Sequence, residues 1–161
     1  MLDPQRLVYL HGLDSTSQSG KARQFAARYP GMLTPDFTGS FEVRMRQLLP
    51  ILGEQTGWTL IGSSYGGLMG AAFTHDHPSQ VRKLVLLAPA IIFPEFAARP
   101  DLHPVSIPTI LIHGQEDDVV PSGPVRLLAE KLFTDLTYIP VDDGHRLQKA
   151  FVELDWDQIL A

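Results

Sequence analysis

At residues 58–67 the chain reads Trp58-Thr59-Leu60-Ile61-Gly62-Ser63-Ser64-Tyr65-Gly66-Gly67. Trp58 to Ile61 is an aromatic and β-branched run of the kind that forms a strand covered on both faces. Gly62-x-Ser64-x-Gly66 then marks a sharp strand-to-helix turn, and a helical pattern opens at Tyr65. Such a turn forces its central residue into a strained backbone and lifts that side chain clear of the sheet. Glycines two positions either side remove the Cβ atoms that would collide there.

Outward from this turn, similar runs recur at Arg6 to Leu10, Lys83 to Ala88, Thr109 to Ile112 and Leu136 to Val141. Between them lie helical stretches at about 19 to 29, 41 to 56, 65 to 76, 122 to 132 and 145 to 156. Alternating strands and helices predict an α/β protein, a three-layer sandwich around a mostly parallel sheet. Gly31 to Pro35 is expected to add a short strand, bringing the sheet to about six. Residues 90 to 106 form the one long connection, and connections of that length are often functional.

The chain has 161 residues, which fits a single domain over 1–161, and 44% hydrophobic residues supply its core. Cysteine is absent, which excludes a disulfide framework, a thiolate metal site and a cysteine nucleophile. Thirteen Lys and Arg against eighteen Asp and Glu give a net charge of −5 without a basic run, so no nucleic-acid partner is expected. The longest apolar run, Leu84 to Phe93, is interrupted by Pro89 and is too short for a membrane span. No secretory signal is read at Met1 to Arg6, and a cytoplasmic location without a membrane partner is the expectation.

A serine hydroxyl is a weak nucleophile at neutral pH, so Ser64 demands a histidine base with a carboxylate behind it. Strand Thr109 to Ile112 runs into His113-Gly114-Gln115-Glu116-Asp117-Asp118, and the last strand runs into Asp142-Asp143-Gly144-His145. The order Ser64, Asp117, His145 places each group beyond the carboxyl end of a strand, where open α/β sheets build their sites. Glu116 and Asp118 compete for the acid's role, and Asp142 and Asp143 read as residues of an Asp-Gly turn. His11 and His113 precede glycines at strand ends and read as turn buttresses. His75 and His77 are spaced too closely on a helix end to share one metal, and no third ligand is evident, so no metal is expected. Gly12 to Lys21 lacks the spacing of a phosphate loop, and no dinucleotide fingerprint follows a strand.

Taken together, these pieces resemble the α/β-hydrolase family across nearly the whole chain: Leu10-His11-Gly12-Leu13, the turn at Ser64, His77-Pro78 before a strand, His113-Gly114 with Asp117 and Val120-Pro121, and Gly144-His145. The chain looks most like the compact bacterial serine esterases without a cap domain. The resemblance implies the backbone amides of Leu13 and Tyr65 as oxyanion-hole donors, and its His-Gly-x-x-Asp spacing favours Asp117 as the acid. It also implies a truncated fold, opening at the family's third strand, and an open acyl site. Phe93 and Phe96 then either flank that site or pack onto the core. The expected activity is hydrolysis of small to medium carboxylic esters through an acyl-enzyme, with no cofactor and a small-molecule ester or thioester as substrate. Two readings stand beside it: a thioesterase using the same residues, and a binding module that has kept the fold without the chemistry.

Overall fold

Short aliphatic and β-branched runs separated by helices give parallel strands, because each crossover returns the chain to the same end of the sheet. The computed structural model describes residues 1–161. It has five parallel strands lying side by side in chain order: β1 (Leu7–Leu10), β2 (Trp58–Ser63), β3 (Val81–Leu87), β4 (Thr109–Gly114) and β5 (Leu136–Val141). Register is set by pairs such as Val8 with Leu60, Ile61 with Val85, Leu86 with Leu111 and Ile112 with Ile139. Around the sheet lie α1 (Gly20–Arg28), α2 (Phe41–Leu52), α3 (Tyr65–Asp76), α4 (Pro94–Ala97), α5 (Ser122–Leu132), α6 (Gln148–Glu153) and α7 (Trp156–Leu160).

Side chains alternate along each strand and so divide the core into two layers. Val8, Leu10, Leu60, Leu84, Leu86 and Leu111 pack with residues of α2, α3 and α5. Leu7, Tyr9, Ile61, Val85, Leu87 and Ile112 pack with residues of α1, α6 and α7. The three-layer α/β expectation is therefore met. The sheet is smaller than the expected six strands by one: the segment at Gly31 to Pro35 contributes a single bridge, Leu33 to Val8. Leu33 exchanges two hydrogen bonds with β1, to Leu7 and Tyr9. Pro35, the next residue in phase to donate to β1, supplies no N–H to extend the ladder.

Helix α3 is buried from Tyr65 to His75, and its Gly66, Gly67, Gly70, Ala71 and Ala72 let it lie close against the middle of the sheet. Helix α2 stops at Leu52 rather than near 56 because Gly53 adopts a positive φ of 57°. The single helix expected over 145 to 156 is two short ones. Leu147 takes a left-handed conformation before α6, and the Asp155 carboxylate caps α7 by accepting from the Gln158 amide. No helix is long and apolar enough to cross a membrane.

The layer beneath α1 is aromatic. Phe25 has its ring centroid 5.3 Å from Tyr9, 5.1 Å from Phe151 and 4.9 Å from Trp156, and it is 1% exposed. Each edge-to-face pair adds to the burial energy of the rings. Phe25→Ala is therefore expected to lower unfolding free energy by about 3–5 kcal/mol in a denaturant titration. Leu127→Ala, at a side chain 64% exposed on α5, is expected to stay within about 0.5 kcal/mol of the parent.

Candidate active site

The turn between β2 and α3 holds Ser64 at φ 55° and ψ −113°, a left-handed conformation that costs a non-glycine residue on the order of 1–3 kcal/mol. Its neighbours hold it there. The Ser64 amide donates to the Leu87 carbonyl at 2.9 Å, and the Ser64 carbonyl accepts from the amides of Gly67, Leu68 and Ala90 at 3.0, 3.2 and 2.9 Å. A Cβ on Gly62 would overlap the Gly66 carbonyl, and one on Gly66 would overlap the Leu10 carbonyl. Both glycines of the motif are thus required by backbone packed directly against backbone.

Ser64, His145 and Asp117 come together at the carboxyl end of the sheet. Ser64 Oγ lies 3.1 Å from His145 Nε2, and His145 Nδ1 lies 2.8 Å from Asp117 Oδ2. The Asp117 side chain is fully buried, while that of His145 is 18% exposed. Asp117 Oδ1 accepts from the backbone amides of Val119 and Val120 at 2.9 and 2.8 Å. Burial alone would raise the Asp117 pKa; hydrogen bonds from His145 and from the Val120 and Val119 amides outweigh it and hold the carboxyl below its usual range. Asp118, the competing acid, is exposed and lines the cleft instead.

Two loops carry the acid and the imidazole, and backbone bonds join them. The Gln115 amide donates to the Val141 carbonyl and the Glu116 amide to the Asp143 carbonyl, at 2.9 and 3.1 Å. Gly114 must lack a Cβ, which would overlap the Asp143 carbonyl. The Asp143 carboxylate accepts from the amides of Gly144, Lys149 and Ala150 and so ties the His145 loop to the first turn of α6. Lys21 of α1 reaches the same loop by donating to the Arg146 carbonyl.

Two backbone amides border this row without a protein acceptor, those of Leu13 and Tyr65. Their peptide planes are set from the far side. His11 accepts the Phe37 amide at Nε2, so its Nδ1 carries the proton and donates to the Gly12 carbonyl at 2.7 Å. In a trans peptide the next N–H points the opposite way, which turns the Leu13 amide away from His11. The bonds to the Ser64 carbonyl turn the Tyr65 amide by the same rule. Leu13, Tyr65, Ser64 and His145 all line one open cleft of about 990 Å³.

Phe93 lines this cleft too, its ring centroid 6.3 Å from Tyr65. Phe96 does not: it is 0% exposed, with its ring edge-on to His75 in the core. The one-turn helix α4 begins right after Phe93 and turns the side chain three residues on toward the sheet. His75, Asp76 and Asp101 also form a cluster, but Arg99 pairs with both carboxylates at 2.6 and 3.4 Å, and His75 Nε2 accepts the His103 amide. Its negative charge already has a counter-ion. His113, read from the sequence as a buttress of its turn, does contact that turn, and what sequence reasoning missed is its contact with the acid: its Nε2 lies 3.1 Å from Asp117 Oδ2. Its position four residues before Asp117 was the available signal.

A parallel sheet flanked by helices, with a serine on a glycine-lined turn facing a histidine and a buried aspartate, defines an α/β-hydrolase-like protein. Residues 17–100 match the family model described as alpha/beta hydrolase fold, and the chain belongs to that family. No curated protein matches it in sequence. Among solved structures it is similar to mouse alpha/beta hydrolase domain-containing protein 10, with TM-score 0.78 and 19% identity over 95% of this chain and 87% of that one. It is similar as well to a Xanthomonas campestris protein described as a hydrolase of the alpha/beta superfamily, with TM-score 0.72, 25% identity and 91% of each chain covered. A third is the monoacylglycerol lipase of Paleococcus ferrophilus, at TM-score 0.72 and 17% identity over 98% of this chain and 93% of that one. Family and neighbours support a hydrolase.

The Asp143 carboxyl is held below its usual range: burial would raise it, and the amides of Ala150, Gly144 and Lys149 more than offset that. A depressed folded-state value stabilises the fold above the ordinary carboxylate range, and this contribution fades as the pH falls through the depressed value. Asp143→Ala should cost about 1 kcal/mol at neutral pH, as for loss of a helix cap. Denaturant titrations taken from about pH 6 down to about pH 3 should show parent and variant converging.

Proposed function

We propose that the protein is a serine hydrolase that cleaves small to medium carboxylic esters through an acyl-enzyme. The observation that carries this reading is the continuous row from Ser64 Oγ through His145 to Asp117, at 3.1 and 2.8 Å. Ser64 attacks the acyl carbon while His145 Nε2 takes its proton. Asp117, accepting from Nδ1, holds the imidazole in the tautomer whose Nε2 is free to accept, and stabilises the imidazolium that forms. The amides of Leu13 and Tyr65 receive the oxyanion, aided by the positive end of α3. His145 then returns the proton to the leaving alkoxide. In the second half-reaction it draws a proton from water, which attacks the acyl-enzyme and frees Ser64.

Phe93 and the Tyr65 ring offer an apolar wall beside the reacting carbon, which favours acyl groups of modest size. The chemistry calls for neither metal nor cofactor. The protein is taken to work as one domain in the cytoplasm on dissolved small molecules, in keeping with its net charge of −5 and the lack of any basic run. Thioesters differ only in the leaving group.

A fluorophosphonate probe should label the protein, and Ser64→Ala should abolish both labelling and hydrolysis of p-nitrophenyl acetate. Well-folded parent protein that takes no label would favour a binding module instead. Asp117→Asn should lower kcat on the order of 10⁴-fold by favouring the wrong tautomer, whereas Asp118→Asn should change it little. Only a neutral imidazole can accept the serine proton, so kcat/KM should fall on the acid side as that imidazole becomes protonated. A profile flat from about pH 5 to about pH 8 would remove His145 from this role.

A further inference from the structure

We infer that His113 is a positioning residue that holds the Asp117 carboxylate in the orientation His145 requires; the inference rests on the serine-hydrolase reading. His113 stands on β4, four residues before Asp117, and both side chains are completely buried. Its Nε2 lies 2.9 Å from the Val120 carbonyl and 3.1 Å from Asp117 Oδ2. A carbonyl can only accept, so Nε2 carries the proton and shares it between the two oxygens. Nδ1 is buried without any hydrogen-bond partner, and in a neutral ring it is then a bare nitrogen.

That orphaned nitrogen is the informative feature. A buried polar atom without a partner is costly, and an apolar side chain would fill the same space without that cost. What an imidazole adds there is the single N–H at Nε2. With it, both carboxylate oxygens of Asp117 have two donors each: the Val119 and Val120 amides on Oδ1, His145 and His113 on Oδ2. Rotation of the carboxylate would break bonds at both oxygens. The same N–H pins the Val120 carbonyl, and the Val120 amide binds the other oxygen, so His113 braces the whole turn from Asp117 to Val120.

The second consequence is electrostatic. Sharing a proton with Oδ2 withdraws part of the carboxylate's negative charge from His145. Without it, Asp117 would favour the imidazolium more strongly, and a higher pH would be needed to reach the neutral base. The other ionisable groups bordering the cleft, Tyr9, Asp14, Lys21, Tyr65, Asp118, Asp143 and Arg146, are the same in every variant below.

Nitrogen-15 NMR of the parent protein should find the His113 ring neutral and protonated at Nε2; a proton on Nδ1 would overturn the inference without reference to any activity. His113→Leu removes the donor, while His113→Gln keeps an N–H at the end of a similar reach. With p-nitrophenyl acetate, His113→Leu should lower kcat on the order of 10-fold at little change in KM. It should also move the acid limb of kcat/KM to higher pH, and His113→Gln should restore most of both. A folded His113→Leu protein with the parent's kcat and acid limb would overturn the inference, as would Leu and Gln variants equally impaired with unshifted limbs. If His113→Leu does not fold, the NMR tautomer and the acid limb of His113→Gln decide. Parent protein that takes no fluorophosphonate label would defeat the hydrolase reading itself; parent and His113→Leu labelling at equal rates would defeat only the role of His113.

Discussion

A serine can stand clear of a parallel sheet only where the backbone turns from strand to helix within one residue, and a turn that tight leaves no room for side chains on either side. At Ser64 this constraint is met by backbone against backbone: Gly66 lies under the Leu10 carbonyl, Gly62 under the Gly66 carbonyl, and Gly67 against Pro89. The left-handed residue is then locked by one donated and three accepted main-chain bonds. Its position follows from β2 being an inner strand, with β1 supplying the Leu10 to Leu13 corner on one side and β3 the Leu87 and Ala90 contacts on the other.

The acid and the imidazole obey a different logic. Neither is strained; both are held by satisfied hydrogen bonds on loops that leave neighbouring strands. β4 and β5 are adjacent, so the loops that follow them meet, and bonds from Gln115 and Glu116 to Val141 and Asp143 join them. A buried carboxylate is tolerable only when its oxygens are fully bonded, and Asp117 reaches that state through two amides and two imidazoles. The burial that would raise its pKa is offset by the same bonds that fix its geometry.

Three histidines near the cleft thus differ in what sets their protons. His11 is fixed by an amide on one nitrogen and a carbonyl on the other, and its effect reaches the cleft through the Gly12 to Leu13 peptide. His113 is fixed by a carbonyl. His145 alone sits between a buried acid and a partly open hydroxyl, and it is the one of the three whose Nε2 faces Ser64. A single side-chain type serves three purposes because its tautomer follows whichever acceptor the backbone presents.

Local chemistry was enough to read the alternation of strands and helices, the turn at Ser64 and the strand ends that carry the candidate acid and histidine, since each of these signals lies within a few positions of sequence. The His-Gly-x-x-Asp spacing favours Asp117 over Asp118, but the physical reason lies in the tertiary structure, where burial and the Val119 and Val120 amides select Asp117. The same holds for Phe93 and Phe96, which look alike in sequence and part company when α4 turns one to the cleft and the other to the core. The edge at Leu33 stops at one bridge because Pro35 withholds the next donor, a loss visible only once the neighbouring strand is in place. His113 shows the division most plainly: spacing put it near the acid, but the proton it shares depends on where the Val120 carbonyl comes to rest, and that is settled by packing between loops distant along the chain.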